Sequence, residues 1–366
     1  MDTIPFFDLK RQYANLRDEL ATAIEAVLDK TAFSGGEFVD RFEKEFADYC
    51  GVRHMLGVNS GTAAIHFALL ALGIGSGDEV IVPAHTFIAS ASGISHTGAK
   101  PVFVDSLADT WEVDPSAVEK AITAKTRAVI VVHLYGVPCE LYQLKRIAMA
   151  HGLALIEDCA QAHGALYQGR KVGRIGEVSA FSFYPSKNLG AYGEAGAVAT
   201  DEKEVAELVE MFRSHGGKTK YSHEILGYNE RMDGIQGAVL SVKLRYLDQW
   251  NKRKSTISHK YFAGINNPLI TFQSIPKEVT PAYHLFVVLA HDRPRFIEYL
   301  KARGVGSALH YPIPCHLQKA YRTLGYAKGD LPNAEHIADH CVSLPLFPEL
   351  TDKEVETVID VVNAYA

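Results

Sequence analysis

The chain has 366 residues, 47% hydrophobic and 22% charged, an ordinary globular composition with length enough for one large domain and a smaller partner. A net charge of -6 and a pI near 6.2 argue against a broad nucleic-acid surface, so any anionic ligand must be held by a few placed groups. The five cysteines (Cys50, Cys139, Cys159, Cys315 and Cys341) are scattered and form no C-x-x-C or zinc-type cluster, and no export signal or membrane-length apolar run is legible, so a soluble cytoplasmic protein is expected.

From about Asp48 to Thr200 short apolar runs alternate with helical patterns. The expected strands are "HMLGVN", "EVIVP", "PVFVD", "RAVIVVH", "LALIED", "VSAFSF" and "GAVAT". Between them, "TAAIHFALLAL" and "LYQLKRIAMAH" repeat apolar residues three and four apart. This alternation predicts an α/β fold, with a mostly parallel central sheet covered by helices on both faces. After Arg245 the pattern changes. "RYLDQWNKRKSTISHKYFAGI" reads as a charged linking helix, followed by a strand, "AYHLFVVLA", and two helical patterns, "PRFIEYLKARG" and "DKEVETVIDVVNAY". The expected division is residues 1–245, an N-terminal segment with the large domain, and 246–366, a smaller C-terminal α+β domain.

Several weak signals can be set aside. "GIGSGDE" follows a helix and precedes a strand, the reverse of a dinucleotide fingerprint, and reads as a helix cap and turn. "VNSGTAA" is too short for a P-loop and lacks its lysine, and none of the sixteen histidines falls in an H-E-x-x-H spacing, so no metal is expected.

Four segments carry chemistry. In "NSGTAAIHFALLAL" a strand ends at Asn59 and a helix opens near Thr62, so the N–H groups of Ser60, Gly61 and Thr62, with the Thr62 hydroxyl, make a single-phosphate cradle, unless they are a plain Ser/Thr cap. In "VPAHTFIAS", Phe87 follows a strand ending at Pro83 and either lies flat on an aromatic ligand or belongs to the core. "LALIEDCAQAHG" brings Glu157 and Asp158 to the carboxyl end of a strand, where open α/β sheets bind ligands. Neighbouring strand side chains point to opposite faces, so one of the two reaches the site, and strand geometry does not choose between them. "FSFYPSKNLGAYGEAGAVAT" sets Lys187 in a Pro/Ser turn. Beside a carboxylate and a phosphate cradle its pKa is expected to fall, freeing the neutral amine that condenses with an aldehyde as a Schiff base. Ser182 adds a hydroxyl to the same phosphate, and Gly190, Gly193 and Gly196 are expected to let the backbone pass close to a bulky planar ligand. Cradle, flat aromatic, strand-end acid and lysine together describe pyridoxal 5′-phosphate (PLP), whose ring needs an acid to keep its pyridine nitrogen protonated.

With "GYNERMDGIQGAVLSVKL" and "LHYPIPCHLQKAY" added, these segments resemble the DegT/DnrJ/EryC1/StrS family of PLP-dependent nucleotide-sugar aminotransferases over nearly the whole chain. The resemblance implies the fold type I aminotransferase architecture and a homodimer with its two active sites at the subunit interface. It implies that Lys187 is the Schiff-base lysine and proton shuttle, Asp158 the pyridinium partner and Gln161 the contact of the phenolic oxygen. Gly61, Thr62 and Ser182 resemble the phosphate ligands, Phe87 the stacking aromatic, and Asn229 the residue reaching the phosphate from the other subunit. One departure is "FSGGEFVDRFE", with Glu37 where many members have proline, which puts that loop's substrate contacts in doubt.

The sugar side is read from Tyr184, Arg231, His310 and Tyr311. The Arg231 guanidinium matches phosphate oxygens, and Pro312 and Pro314 would hold the preceding rings extended and aimed in one direction, although His310 also suits a place under the domain junction. The expected reaction moves an amino group from L-glutamate to C3 of a dTDP-linked 3-keto-6-deoxyhexose, with a UDP-linked 3-keto sugar or a nucleotide-linked 4-keto sugar as alternatives. A sugar dehydratase of this fold has histidine in place of the lysine, against Lys187. A non-catalytic PLP-binding regulator would carry a basic helix-turn-helix domain, for which this acidic chain has no room. No nucleic-acid or membrane partner is expected.

Overall fold

Seven apolar runs form the central sheet of the computed structural model, which describes residues 3–219 and 221–366. They are β1 (His54–Val58), β2 (Glu79–Pro83), β3 (Lys100–Val104), β4 (Thr126–Val132), β5 (Ala154–Asp158), β6 (Val178–Ser182) and β7 (Gly196–Thr200). The order across the sheet is β1-β7-β6-β5-β4-β2-β3, and β7 runs antiparallel to both β1 and β6 while the other neighbours pair in parallel.

Alternation along each strand divides the apolar side chains between two layers. Val80, Val82, Ile130 and Ile156 face one cluster, which includes the helix Gly61–Ala71. Ile81, Val129, Val131 and Leu155 face the other, closed by Phe42 and Phe46 of the helix Glu37–Cys50. Each such burial contributes about 1.5–3 kcal/mol, so a one-residue slip of β5 would move its apolar set to the wrong layer. That register, Ile156 beside Ile130 and Asp158 beside Val132, therefore also fixes where the two acids at the strand end point.

A second, antiparallel sheet of β8 (Ile270–Phe272), β9 (Phe286–Ala290) and β10 (Cys341–Leu344), in that order, packs with the helices Leu247–Gly264, Arg293–Ala302 and Asp352–Asn363 around a third apolar cluster. Ile4 joins this cluster, its N–H donating to the Gly304 carbonyl and its carbonyl accepting from Gly306 N, both at 2.8 Å. The run "AYHLFVVLA" is strand only from Phe286 onward. Tyr283 sits in the left-handed region at φ 46°, and Ala282 N donates to the Gly136 carbonyl (2.9 Å), so residues 282–285 instead fold over the end of β4. All five cysteines are free and buried, and among the described residues no helix is long and apolar enough to cross a membrane.

Candidate active site

The carboxyl ends of β4, β5 and β6, with the segments that follow β1 and β2, open on a cleft of about 460 Å³. It gathers Gly61, Thr62, Phe87, Asp158, Gln161, Ser182, Tyr184, Lys187, His310 and Tyr311 from the residues expected by sequence.

The helix Gly61–Ala71 points its N-terminus into this cleft. Ser60 caps it, its Oγ accepting from Ala63 N at 3.1 Å, which leaves the Gly61 and Thr62 N–H groups without intrahelical partners and free for an anion. The cap and the cradle are thus one arrangement. Gly61 is required by close approach: a Cβ there would lie 2.6 Å from Ser182 Cβ, so the Ser182 side chain sits directly against the helix start.

Asp158 shares the layer of Ile156 and faces the cleft, whereas Glu157 points into the opposite layer. Asp158 Oδ2 accepts from Ser90 Oγ (2.7 Å) and Oδ1 from Ala160 N (3.1 Å). Burial raises its pKa, with Ser90, Ala160 and the Lys187 charge working against the rise. Glu157 accepts from Gly173 N, Ile175 N and Gly176 N at 2.7–2.8 Å and pairs with His133 Nε2 at 3.1 Å. His133, Glu157 and Cys159 are close enough to suggest a metal site, but His133 Nδ1 accepts from Cys139 N, so Nε2 is the donor to Glu157 and no imidazole lone pair is left over.

Lys187 is partly buried, its amine making no hydrogen bond among the described residues. Burial pulls its pKa from 10.5 down to about 8, and Asp158 raises it. The neutral amine expected from the sequence is therefore a product of desolvation; the neighbouring carboxylate opposes it, because an anion favours the ammonium form. The glycines around the lysine also differ from expectation. A Cβ on Gly190 would lie 2.2 Å from the Pro185 carbonyl oxygen, on Gly193 2.8 Å from Gln236 Nε2, and on Gly196 2.3 Å from Ser60 C and O. Their small size lets protein pack on protein and brings β7 against the cradle; it does not make room for the ligand.

Phe87 is 51% exposed in the cleft, its ring 5.4 Å from that of Tyr311, and is not core. Gln161 accepts from Tyr135 N (2.7 Å) and donates to Tyr311 Oη (2.9 Å). His310 does both things considered for it: it lines the cleft, and it is held from behind by Ser343 Oγ at 2.8 Å and by stacking on Phe6 at 5.7 Å. Burial and the Lys187 charge lower its pKa to about 4. The His310–Tyr311 peptide is cis, and Pro314 is extended as expected.

Asn229 and Arg231 do not line this cleft. Arg231 Nη2 donates to Asn229 Oδ1 (2.6 Å), and the intervening Glu230 carbonyl accepts from Asn59 N, one residue before the cradle's cap. Glu37 lies at the start of its helix, ion-paired with Lys30 at 2.6 Å, and is also outside the cleft. The sequence reading missed Thr86 and Ser90, whose i, i+4 hydroxyls are 3.0 Å apart and hold Asp158, as well as Glu194 and His284. The i, i+4 hydroxyl spacing was legible; the other two carried no local signal.

An anion cradle, a buried carboxylate, an amine titrating near 8 and an exposed flat ring in one cleft fit PLP. The DegT/DnrJ/EryC1/StrS aminotransferase family matches residues 14–363. The chain is 46% identical, over 99% of its length and 96% of the relative's, to a Streptomyces venezuelae dTDP-3-amino-3,4,6-trideoxy-alpha-D-glucose transaminase. It is 42% identical, over 98% and 97%, to a Geobacillus stearothermophilus protein named a pleiotropic regulatory protein. The crystal structure of S. venezuelae DesV in complex with a ketimine intermediate superposes with a TM-score of 0.97 at 46% identity, covering 99% of this chain and 98% of that one. Family, fold and cleft agree: the chain belongs to the DegT/DnrJ/EryC1/StrS aminotransferase family and is a PLP-dependent transaminase.

Proposed function

We propose that the protein moves an amino group from L-glutamate to C3 of a nucleotide-linked keto-sugar, first a dTDP-linked 3-keto-6-deoxyhexose and second a UDP-linked 3-keto sugar. The observation that carries this is the gathering of Tyr184, His310 and Tyr311 around Lys187 in a chain 46% identical to a transaminase named for a dTDP-linked 3-amino sugar.

PLP bound in the cleft supplies an electron sink for the carbon that loses its proton. In this reading Gly61, Thr62 and Ser182 hold the phosphate, Asp158 holds a proton on the pyridine nitrogen, Gln161 meets the phenolic oxygen and Phe87 covers the ring. Lys187 Nζ, partly neutral near pH 8, takes the proton from the donor's α-carbon and returns one to the acceptor carbon. His310, neutral at physiological pH, and Tyr311, whose hydroxyl burial keeps protonated, flank the sugar without adding charge.

The reading includes a cytoplasmic homodimer, in which Asn229 and Arg231 of one subunit serve the other's phosphate groups; their position outside their own cleft supports it. It also divides the chain at 245/246, supported by the third apolar cluster, which residues 257–365 form together with Ile4. The deciding experiment offers PLP-loaded protein and glutamate a panel of nucleotide-linked 3-keto and 4-keto sugars, read by mass spectrometry. Turnover of a 4-keto sugar with none of any 3-keto sugar overturns the C3 assignment, and Arg231→Ala should raise KM for the nucleotide sugar far more than for glutamate.

A further inference from the structure

Asn188, next to Lys187 in the chain, is 6% exposed and uses its whole amide. Nδ2 donates to the Ala282 carbonyl (2.7 Å) and to Asn251 Oδ1 (2.8 Å). The Ala282 carbonyl can only accept, so the amide is oriented, and Oδ1 must be the atom that faces Lys254 Nζ at 2.9 Å and His284 Nδ1 at 3.3 Å. Lys254, 3% exposed, donates a second hydrogen bond to the His284 carbonyl (2.9 Å), so backbone and ring of His284 are held by the same pair.

A carbonyl oxygen cannot donate, so His284 Nδ1 carries the hydrogen. Burial, then the charges of Lys187 and Lys254, keep the imidazole neutral. In a neutral imidazole with Nδ1–H, Nε2 bears the lone pair. Nε2 makes no hydrogen bond among the described residues, and the ring lines both the Lys187 cleft and a smaller chamber of about 250 Å³ walled by Phe6, Leu285 and Leu344. The Lys187 amine and the cradle N–H groups are donors, and Asp158 is engaged by Ser90 and Ala160. An uncharged acceptor at this wall suits a hydroxyl group of a ligand.

We propose that His284 is a specificity-determining residue, whose Nε2 accepts a hydrogen bond from one hydroxyl of the keto-sugar bound in the cleft. The inference rests on the nucleotide-sugar reading of the cleft. Its test uses PLP-loaded wild type, His284→Phe and His284→Gln with a dTDP-linked 3-keto-6-deoxyhexose and its C2- and C4-deoxy analogues. His284→Phe should lower kcat/KM about 5- to 150-fold for the fully hydroxylated sugar, while for one deoxy analogue wild type and His284→Phe should be nearly equal. His284→Gln, which keeps an acceptor, should recover part of the loss. Equal losses across all three sugars, or none, overturn the proposal, whereas a wild type inactive on every keto-sugar overturns the functional reading instead. Histidine-selective ¹⁵N NMR of the wild type is independent of how the variants fold: His284 Nε2 should be unprotonated and should shift on adding the nucleotide sugar. A protonated or unresponsive Nε2 also overturns the proposal.

Discussion

Gly196→Ala tests whether β7 shapes the phosphate cradle. Gly196 is the first residue of β7, paired to Val58 on one side and Ser182 on the other, so its backbone has no room to retreat. An added Cβ would lie 2.3 Å from Ser60 C and O and 2.7 Å from Gly61 N, all backbone atoms. Ordinary contact begins at 3.4 Å, so Ser60 and Gly61 must withdraw by about 1 Å. Overpacking of this kind costs about 1–3 kcal/mol. Falling on the cradle, that loss weakens PLP binding about 5- to 150-fold. The assay titrates cofactor-free protein with PLP and, separately, with pyridoxal, which lacks the phosphate; the advantage of PLP over pyridoxal should shrink in the variant. Gly75→Ala is the control, since its Cβ would meet only the Thr97 carbonyl at an ordinary 3.4 Å. A folded Gly196→Ala protein with an unchanged PLP-to-pyridoxal ratio would refute the reasoning.

Lys187→Ala should abolish turnover and the visible absorption of the PLP-loaded protein, and an unchanged band would remove Lys187 from its role. Because Lys187 titrates near 8 and only its neutral form is nucleophilic, the rate at which PLP loads onto wild type should fall about tenfold per pH unit below that value; a midpoint near 10.5 would show that burial does not act on the amine. Glu157→Gln leaves three N–H donors facing an amide with one oxygen, so Tm should drop with a loss of about 1.5–3 kcal/mol while kcat changes little; Asp158→Asn should do the reverse, and similar kinetic losses in both would contradict the assignment of the two faces. If Asn229 serves the partner's site as proposed, mixed Lys187→Ala and Asn229→Ala subunits should regain activity, because half of the sites in such a dimer would carry neither defect; no recovery after verified subunit exchange would mean that each site is built within one chain.

The legible parts of this fold share a physical property. Strands β2, β4 and β5 are buried along most of their length, so they read as near-continuous apolar runs, and "TAAIHFALLAL" announces a buried helix because most of its residues lie inside. The reversed direction of β7 left no trace, since "GAVAT" is equally apolar in either sense. The helix Glu37–Cys50 lies outside the strand alternation, yet Phe38, Phe42 and Phe46 mark its buried face at helical spacing. At the site, the motif residues were found because each sits beside its own punctuation: Gly61 after a strand, Lys187 in a Pro/Ser turn, Asp158 at a strand end. The choice between Glu157 and Asp158 required the register of β5 against β4, which depends on residues in another segment.

His284 shows where such reading stops. Its ring is oriented by Asn188, its backbone by Lys254, and Asn188 in turn by Ala282 and Asn251, so the tautomer at the cleft wall is decided by residues up to 96 positions away. None of these residues is remarkable in its own stretch of sequence: Asn251 and Lys254 share the helix Leu247–Gly264, but Asn188 and His284 lie on two other segments, and no spacing rule joins the three. The requirement that joins them is satisfaction: each buried donor must find an acceptor, and once Ala282 fixes one end of the Asn188 amide the remaining hydrogens have a single consistent placement. A motif therefore identifies the groups that react. The groups that select the substrate are determined by the hydrogen-bond network behind them, and that network exists only in the folded chain.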